Sequence, residues 1–230
     1  KNGEENIQNH IENRFRDIGY TVKSKILYAS DFGVPQRRNR LFIVGNRNGI
    51  DFEFPKEFDY SVSVDEAISD LPVLGNGEIQ MKGEYTVPFE QASPYAQLMR
   101  KKSKAPTQNI VSRNKDYVVE RYKYIGQGEN WSSIPDRLME NYADKKRCHS
   151  GIYKRLIGGK PSVVISNYRK SMLIHPHQDR GLSVREAARL QSFPDHFIFE
   201  GPVSYVQQQI GNAVPPLLAK AVMKKILTYK

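Results

Sequence analysis

The N-terminal part of the chain alternates helical and extended apolar segments, and this alternation restricts the fold more than any other feature. A helix is predicted over residues 4–18, with Gly19 as its C-terminal stop, because apolar residues recur on one helical face: Ile7, Ile11, Phe15 and Ile18. Residues 20–28 are predicted to form a strand. The continuous apolar run of residues 41–44 is typical of a strand buried on both faces. Together these segments predict the edge of an α/β sheet.

The composition of the 230 residues limits the kinds of partner and compartment. A formal net charge of +10 favours an anionic partner, with nucleic acid ahead of a membrane surface, although a merely basic soluble protein has the same charge. The single cysteine excludes an internal disulfide framework. Of the five histidines, only His175 and His177 have ligand spacing, and Pro176 between them makes that pair extended and not one helix face. No apolar run is long enough to span a membrane. We expect a cytoplasmic protein with no membrane partner and no metal site.

A basic run lies between the two predicted strands, in residues 36–40. If the backbone there is extended, Arg38 and Arg40 project to the same side, because side chains alternate with a period of two. They would then converge on one anionic or carbonyl-rich ligand. The alternative is a solvated charge cluster at a hairpin, which describes most short basic runs.

The C-terminal segment combines a polar, glycine-containing turn over residues 205–214 with a predicted helix. Pro215 and Pro216 occupy the first helical positions, and apolar residues then recur at helical spacing: Leu218, Ala221, Val222 and Ile226. The turn would therefore lie at a helix N-terminus, which attracts carboxylates and phosphates. An ordinary capped C-terminal helix explains the same residues without a ligand.

Two capping boxes mark the starts of short helices. Residues 63–66 and 183–186 both have Ser followed three positions later by Glu, the spacing in which side chain and backbone satisfy each other's hydrogen bonds. Pro72 and Pro194 end the two helices. A further short helix is predicted over residues 95–100, after a Ser-Pro pair.

Between about residues 75 and 175 the chain is rich in Lys, Arg, Asn and Tyr and shows little long-range periodicity. This change predicts a second domain. Its segment 121–131 combines cations, aromatic rings and glycines, so Arg121 and Lys123 are candidates for phosphate contacts. Trp131 is expected in a local core instead. A second basic concentration follows further on: Lys145, Lys146 and Arg147.

Three of these segments resemble motifs of the DNA cytosine-5-methyltransferases. Residues 32–41 resemble the family's Gly-x-Pro-Gln-x-Arg-x-Arg motif, residues 179–195 its penultimate motif, and residues 209–216 its last motif. The matches occur in the family's order, with a variable basic segment between the first and the other two. The resemblance implies an α/β fold, namely the C-terminal part of a class I S-adenosylmethionine-dependent methyltransferase domain with an inserted small, mainly β target-recognition domain.

The resemblance also implies three regions. Residues 1–74 would form the C-terminal sheet edge of the catalytic domain, residues 75–175 the target-recognition domain, and residues 176–230 the bracing helix and final helix that return to the catalytic domain. Enzymes of this family transfer methyl from S-adenosyl-L-methionine to C5 of a cytosine flipped out of a specific duplex DNA site, after a thiolate adds to C6.

Individual roles follow from the same resemblance. Arg40 would lie at the base O2, where negative charge develops, and Arg38 would hold nearby phosphate or catalytic-loop groups. Gln36 would brace the surroundings of the flipped base. The residues expected at the methionine end of the cofactor are Gly211, Asn212 and Ala213. Those expected to contact DNA are Arg121, Lys123, Lys145, Lys146 and Arg147.

The chain departs from the family's pattern in one large respect. The glycine-rich cofactor loop, the Pro-Cys nucleophile and the Glu-Asn-Val segment do not occur in it, and Cys148 follows Arg147 instead of proline. We therefore expect an incomplete cofactor pocket and no activity from this chain alone. The N-terminal catalytic half would come from the same polypeptide or from a separate subunit, and the fragment is favoured because Lys1 is not an initiator methionine.

An incomplete domain of this kind is expected to expose apolar surface on the last helix and on the strand of residues 41–44, and to self-associate. The alternative functions are a stand-alone sequence-specific DNA-binding module without catalytic activity and a basic RNA-binding protein. Neither the target DNA sequence nor a restriction endonuclease partner follows from the residues.

Overall fold

The computed structural model describes residues 7–140, 151–166, 168 and 173–229. Its helices and strands are α1 Ile7–Asp17, β1 Thr21–Tyr28, β2 Asn39–Asn46, α2 Val64–Ile68, β3 Ile79–Lys82, α3 Pro94–Arg100, β4 Thr107–Ile110, α4 Asp116–Tyr122, α5 Val184–Leu190, α6 Val203–Asn212 and α7 Pro216–Leu227. β1 pairs with β2 and β3 pairs with β4, both antiparallel. The chain is therefore a mixed α/β structure, as the sequence predicts.

The β1–β2 hairpin lies where the sequence predicts strands, but it is buried on one face. The register places Leu27 opposite Arg40 on that face, and Ile26 opposite Leu41 on the other. Leu27 is 1% exposed, whereas Ile26 and Leu41 are 48% and 42% exposed. The predicted burial of residues 41–44 on both faces is therefore wrong for this chain. The element of the described chain that contacts the second face of β1 is α1, which presents polar side chains to it.

α1 ends where expected but leaves its apolar residues in solvent. Gly19 has a φ of 87°, the left-handed conformation that stops a helix. Glu12 is the buried residue of α1, and its Oε1 accepts a hydrogen bond from Ser24 Oγ at 2.5 Å. The exposed apolar residues are Ile7, Phe15 and Ile18. The helix is amphipathic as predicted, but its polar side attaches it to β1.

α7 packs on the buried face of the hairpin. Leu218 and Val222, four positions apart on the helix, join Leu27 and Phe32 in one apolar cluster. Each such side chain contributes about 1.5–3 kcal/mol when it is fully buried. This packing attaches α7, and with it the turn that precedes α7, to the strand pair that carries Arg40.

A larger apolar cluster crosses the boundary predicted near residue 75. Val64 and Leu190 lie outside the predicted recognition segment, and Tyr95 and Met99 lie inside it, yet all four belong to this cluster. The described part of residues 75–175 contains α3 and α4 as well as β3 and β4. The segment is mixed in structure, so the expectation of a mainly β segment is wrong for the described residues.

A separate cluster organises the middle of the chain. Tyr122 from α4 and Ile125 just after it pack with Tyr153 and Ile174. Trp131 is partly buried against this cluster, in agreement with the expected core role. These three aromatic residues therefore serve the packing of this basic region.

Both predicted capping boxes form. At the start of α2, Ser63 Oγ accepts from Glu66 N–H at 3.2 Å and Glu66 Oε2 accepts from Ser63 N–H at 2.8 Å. At the start of α5, Ser183 and Glu186 make the same two bonds at 3.1 and 2.7 Å. α3 begins at Pro94, one residue before the predicted start, and ends at Arg100 as predicted. Local sequence therefore determines where these helices start.

The motif of residues 179–195 contains buried charged side chains, and its sequence pattern does not predict their burial. Three of its arginines are at most 2% exposed: Arg180, Arg185 and Arg189. Arg189 donates from Nε to Asp195 Oδ1 at 2.6 Å and from Nη1 to Asp70 Oδ1 at 2.9 Å. Asp70 lies just after α2, so this ion pair fixes α2 against α5. Such burial is tolerated because the charge is paired and hydrogen-bonded.

The C-terminal turn is shorter than the sequence suggests. Most of the stretch expected to be a turn, residues 205–212, belongs to α6, and residues 213–215 alone link α6 to α7. Val206 and Ile210 are buried at helical spacing, but the polar residues between them and the glycine that follows obscure the pattern.

Candidate active site

Gln36 is completely buried and uses both ends of its carboxamide inside the protein. Its Nε2 donates to Gln191 Oε1 at 2.6 Å and to Leu190 O at 3.3 Å. Its Oε1 accepts from the Ile165 N–H at 3.0 Å. Gln36 therefore braces the backbone at residue 165 and the end of α5, and no part of its side chain is free to contact a base.

Arg38 is 3% exposed, and both of its terminal nitrogens bind backbone carbonyls. Nη1 donates to Ile165 O at 3.2 Å, and Nη2 donates to Gly211 O at 2.7 Å. In the described chain Arg38 therefore shares no partner with Arg40, and its expected hold on phosphate or catalytic-loop groups stays a prediction. The guanidinium ties the strand region to the end of α6.

Arg40 is the arginine of this pair that keeps free donors. It lies in β2 and is partly exposed, and its Nη1 donates to the carbonyl of Asn39 at 2.9 Å. Partial burial lowers the pKa of Arg40 from its ordinary value, although a guanidinium stays charged at neutral pH. Its other N–H groups have no partner in the described part of the chain, so they are available to a ligand oxygen.

The predicted cofactor residues lie at the end of α6 and in the link that follows. Gly211 and Asn212 belong to α6, and the Ala213 N–H donates to Gln209 O at 3.1 Å. Asn212 is exposed, and among the described residues its carboxamide has no hydrogen-bond partner. A Cβ at Gly211 would lie 1.7 Å from Ser166 O, so this close approach of two backbones requires glycine.

The start of α7 has fewer free N–H donors for an anion than an ordinary helix N-terminus, and the predicted anion site there stays a prediction. Pro215 and Pro216 have no N–H, and the Leu217 N–H donates to Ser192 Oγ at 3.1 Å. Pro215 and Pro216 therefore offer an anion no donor, and the Leu217 N–H is already used. The polar group that this turn offers is the side chain of Asn212.

Gln191 belongs to this site although the sequence patterns did not single it out. It is completely buried; its Oε1 accepts from Gln36, and its Nε2 donates to Ile210 O at 2.7 Å and to Ala213 O at 3.3 Å. The available signal was a glutamine directly after the last apolar residue of α5, which is weak. The neighbouring Ser192 has a φ of 65°, which sequence does not reveal.

The predicted DNA contacts have different outcomes. Arg121 is 3% exposed, and it donates from Nε to Leu138 O at 2.7 Å and from Nη1 to the Tyr153 hydroxyl at 2.8 Å. Its expected phosphate contact is therefore wrong, because the guanidinium holds the local core together. Lys123 is exposed beside Glu120, 2.7 Å away, and stays a candidate. Three further candidates lie outside the described residues: Lys145, Lys146 and Arg147.

The described residues contain no group of three or more His, Cys, Asp or Glu side chains that could hold a metal ion. No helix in this part of the chain has the length and apolar character needed to cross a membrane. An apolar cavity of about 450 Å³ lies between α3 and α7, and its lining contains none of the predicted site residues.

Comparison with known proteins finds similarity along nearly the whole chain. A family model described as "C-5 cytosine-specific DNA methylase" matches residues 1–228. The Type II methyltransferase M1.HphI of Haemophilus parahaemolyticus is 35% identical over 219 residues, which cover 94% of this chain and 50% of that protein. The Type II methyltransferase M.DdeI of Desulfomicrobium norvegicum is 33% identical over 244 residues, which cover 97% of this chain and 58% of that protein. The chain therefore spans about half the length of these curated relatives.

A solved structure shares the fold. It is described as a DNA modification methyltransferase encoded within a prophage of E. coli, and it superposes with a TM-score of 0.68 at 23% identity. The superposition covers 97% of this chain and 66% of that chain. At this identity the likeness concerns the fold alone.

Proposed function

Because the chain belongs to the C-5 cytosine-specific DNA methylase family, we propose that it forms the C-terminal part of a DNA cytosine-5-methyltransferase. The complete enzyme would transfer a methyl group to C5 of a cytosine flipped out of a specific duplex DNA site. Type II relatives support a role in DNA modification.

One hydrogen bond carries the proposal, from Arg38 Nη2 to Gly211 O at 2.7 Å. Arg38 lies two residues before Arg40, the cation with free donors, and Gly211 directly precedes Asn212, the carboxamide without a partner. A group suited to the base and a group suited to the cofactor are thus connected by one buried side chain. Methyl transfer requires this kind of fixed separation between acceptor and donor.

Arg40 is proposed to act on the cytosine. When a thiolate adds to C6, negative charge develops toward the base O2, and a guanidinium bound there stabilises the charged species more than the neutral base. The partial burial of Arg40 strengthens this interaction, because charges interact more strongly away from bulk water.

S-adenosyl-L-methionine supplies the methyl group when it is bound. Asn212 fits the methionine end because an exposed carboxamide offers a donor to a carboxylate and an acceptor to an ammonium group. We propose that the remaining walls of this pocket and the cysteine nucleophile come from an N-terminal catalytic part, so that this chain alone is inactive.

Residues 75–175 are proposed to read the DNA site. The net charge of +10 favours binding to the phosphate backbone, and the candidate contacts are Lys123, Lys145, Lys146 and Arg147. Affinity for duplex DNA should fall steeply as salt rises, because each neutralised phosphate releases counterions. Binding that ignores salt, or that prefers single-stranded RNA, would count against this assignment.

A reconstitution tests the enzymatic proposal. This chain and the N-terminal catalytic part are purified, mixed with duplex DNA and labelled S-adenosyl-L-methionine, and 5-methylcytosine is measured by mass spectrometry. Methylation is expected in the mixture and not with this chain alone. Absence of transfer with both parts folded would contradict the proposal, and transfer by this chain alone would contradict its inactivity.

A stand-alone sequence-specific DNA-binding module is the second candidate. The observation that favours it is that Cys148, the single cysteine, follows Arg147 and not the proline of a Pro-Cys nucleophile. The same reconstitution separates the two candidates, because a binding module would retain site-specific DNA binding without methylation in any mixture.

A further inference from the structure

We infer that Gln191 is a positioning residue that fixes the last residues of α6 and the residue after it, residues 210–213, here called the cofactor turn, relative to the backbone at Ile165. The inference rests on the proposed function, in which this turn contacts the cofactor. It assigns a role to a side chain that touches neither base nor cofactor and acts through the turn it binds.

Three consecutive hydrogen bonds, here called the glutamine relay, connect the two segments. The Ile165 N–H donates to Gln36 Oε1 at 3.0 Å, Gln36 Nε2 donates to Gln191 Oε1 at 2.6 Å, and Gln191 Nε2 donates to Ile210 O at 2.7 Å. Gln36 and Gln191 are both completely buried. Water therefore has no access to replace a lost partner, and breaking one bond leaves a buried polar group unsatisfied.

The donors and acceptors of the relay can be arranged in one order, because each carboxamide oxygen must accept and each NH₂ group must donate. Gln36 must turn its oxygen to the Ile165 N–H, so its NH₂ faces Gln191. Gln191 must then turn its oxygen to Gln36 and its NH₂ to the carbonyls of Ile210 and Ala213. Flipping either carboxamide would oppose two donors or two acceptors. Each amide orientation therefore depends on the next, which makes the relay one cooperative unit.

Arg38 provides a second connection parallel to the relay. It binds Ile165 O and Gly211 O, while the relay binds Ile165 N–H and Ile210 O. Both polar groups of the Ile165 backbone and two successive carbonyls of the turn are thus held. Just before Ile165, Val163 and Val164 are 37% and 45% exposed. A displacement of this exposed loop is transmitted to the turn through two sets of buried hydrogen bonds.

The first test compares Gln191→Met with Gln108→Met in the complete enzyme. Gln191→Met keeps the length of the side chain and removes its donor and acceptor. The KM for S-adenosyl-L-methionine should rise about tenfold with kcat within about twofold, since one buried hydrogen bond is typically worth a tenfold change in an equilibrium constant. An unchanged KM for Gln191→Met would overturn the inference. So would a fall in kcat and a rise in KM that are equal in the two variants.

Gln108 is the matched control because it has the same chemistry at another place. It is 7% exposed, donates to Phe199 O at 2.9 Å and accepts from Phe199 N–H at 2.9 Å. Gln108→Met should lower thermal stability and leave the cofactor KM as in the wild type. A rise in KM equal to that of Gln191→Met would show that KM follows general destabilisation, which would overturn the inference.

The second test uses the pH dependence of Gln191→Glu. A neutral glutamic acid can donate its O–H to Ile210 O and accept from Gln36, whereas the ionised form cannot donate. The ratio of the variant's cofactor KM to that of the wild type should therefore fall as pH is lowered. A ratio independent of pH would overturn the inference. For Gln191→Met the ratio should stay constant.

The third test needs no activity and uses this chain alone. Hydrogen exchange followed by mass spectrometry should show faster amide exchange in Gln191→Met both at residues 162–166 and at residues 210–214, and not in Gln108→Met. Unchanged exchange in either segment would overturn the inference. If the exchange result holds while the wild-type reconstitution transfers no methyl group, the proposed function fails and the relay stands.

Discussion

At the scale of single residues, the spacing of Arg38 and Arg40 predicts one shared role, but the structure gives them two. Both carry the same charge in one basic run, yet Arg38 is buried on two carbonyls whereas Arg40 keeps free donors. The carbonyls that separate the two roles belong to Ile165 and Gly211, far away in the sequence. No local pattern specifies which arginine meets them.

Arg40→Ala in the complete enzyme should affect catalysis more than binding. If Arg40 stabilises charge on the base, kcat should fall about 100-fold or more while the Kd for duplex DNA changes less than about threefold. Single-turnover methylation and fluorescence anisotropy measure the two quantities. The control is Arg37→Ala, which removes the exposed neighbouring cation. Equal losses of methylation and DNA binding in Arg40→Ala would make Arg40 a phosphate contact instead.

Gly211→Ala should destabilise the chain because the new methyl group has no space. It would lie 1.7 Å from Ser166 O, a backbone atom, so α6 or the loop must shift. A loss of about 1–3 kcal/mol or more in the free energy of unfolding is expected from such overpacking. Gly159→Ala is the control, since a Cβ there meets no atom within 4 Å. Urea denaturation measures both, and equal stability of the two variants would contradict this account.

At the scale of elements, α5 shows what local and tertiary interactions each contribute. Its start follows from the capping box of Ser183 and Glu186, which the sequence reveals. Glu186 also accepts from Arg180 at 2.7 and 2.9 Å, a buried bidentate pair absent from the otherwise equivalent box at α2. The same capping residue is thus an exposed cap in one helix and half of a buried ion pair in the other.

Glu186→Gln should destabilise the chain strongly at neutral pH and progressively less in acid. Burial alone raises the pKa of Glu186, but Arg180, His175 and the Ser183 N–H outweigh it and hold the pKa at about 2, below the ordinary 4.5. A carboxyl with a depressed pKa stabilises the fold above about pH 4.5, and this contribution is lost as the pH falls toward 2. At pH 7 the free energy of unfolding should fall by about 3–5 kcal/mol, because Arg180 is left buried without its charge partner.

Urea denaturation between pH 7 and pH 3 measures this difference from the wild type. Glu66→Gln is the matched control, because Glu66 fills the same capping position in α2 but is exposed. Glu66→Gln should lower the free energy of unfolding by about 1 kcal/mol or less, as for an ordinary cap. Similar losses in the two variants, or a Glu186→Gln effect that does not shrink in acid, would show that the pair with Arg180 contributes little.

At the scale of the whole molecule, one side of the hairpin exposes a group of apolar side chains. Ile26 and Leu41 face each other there, Tyr28 is 55% exposed on the same face, and the apolar residues of α1 lie open nearby. A contiguous apolar surface of this kind normally meets another protein surface. This agrees with the proposed N-terminal catalytic part, which would cover it.

The isolated chain should therefore self-associate with rising concentration. Replacing the cross-strand pair by Ile26→Thr with Leu41→Thr puts a β-branched residue, which strands favour, at both positions and should weaken this association. Sedimentation velocity over a concentration series measures the effect. Val73→Thr is the control, an equally conservative change at a residue 73% exposed elsewhere. A wild-type chain that stays monomeric throughout would contradict the prediction.

The sequence by itself determined the features that depend on neighbouring residues: the capping boxes, the glycine stop of α1, the two strands of the hairpin, and the motifs that mark the family. Hydrogen bonds between residues three or four apart and period-two alternation are local, so they can be predicted without a fold. Tertiary structure alone decided that Arg38 and Arg121 are buried and that the glutamine relay forms. It also decided that the Asn212 carboxamide and some Arg40 donors have no partner in the described part of the chain. Burial depends on which distant segments meet, and the partners of Arg38 lie 127 and 173 residues away along the chain.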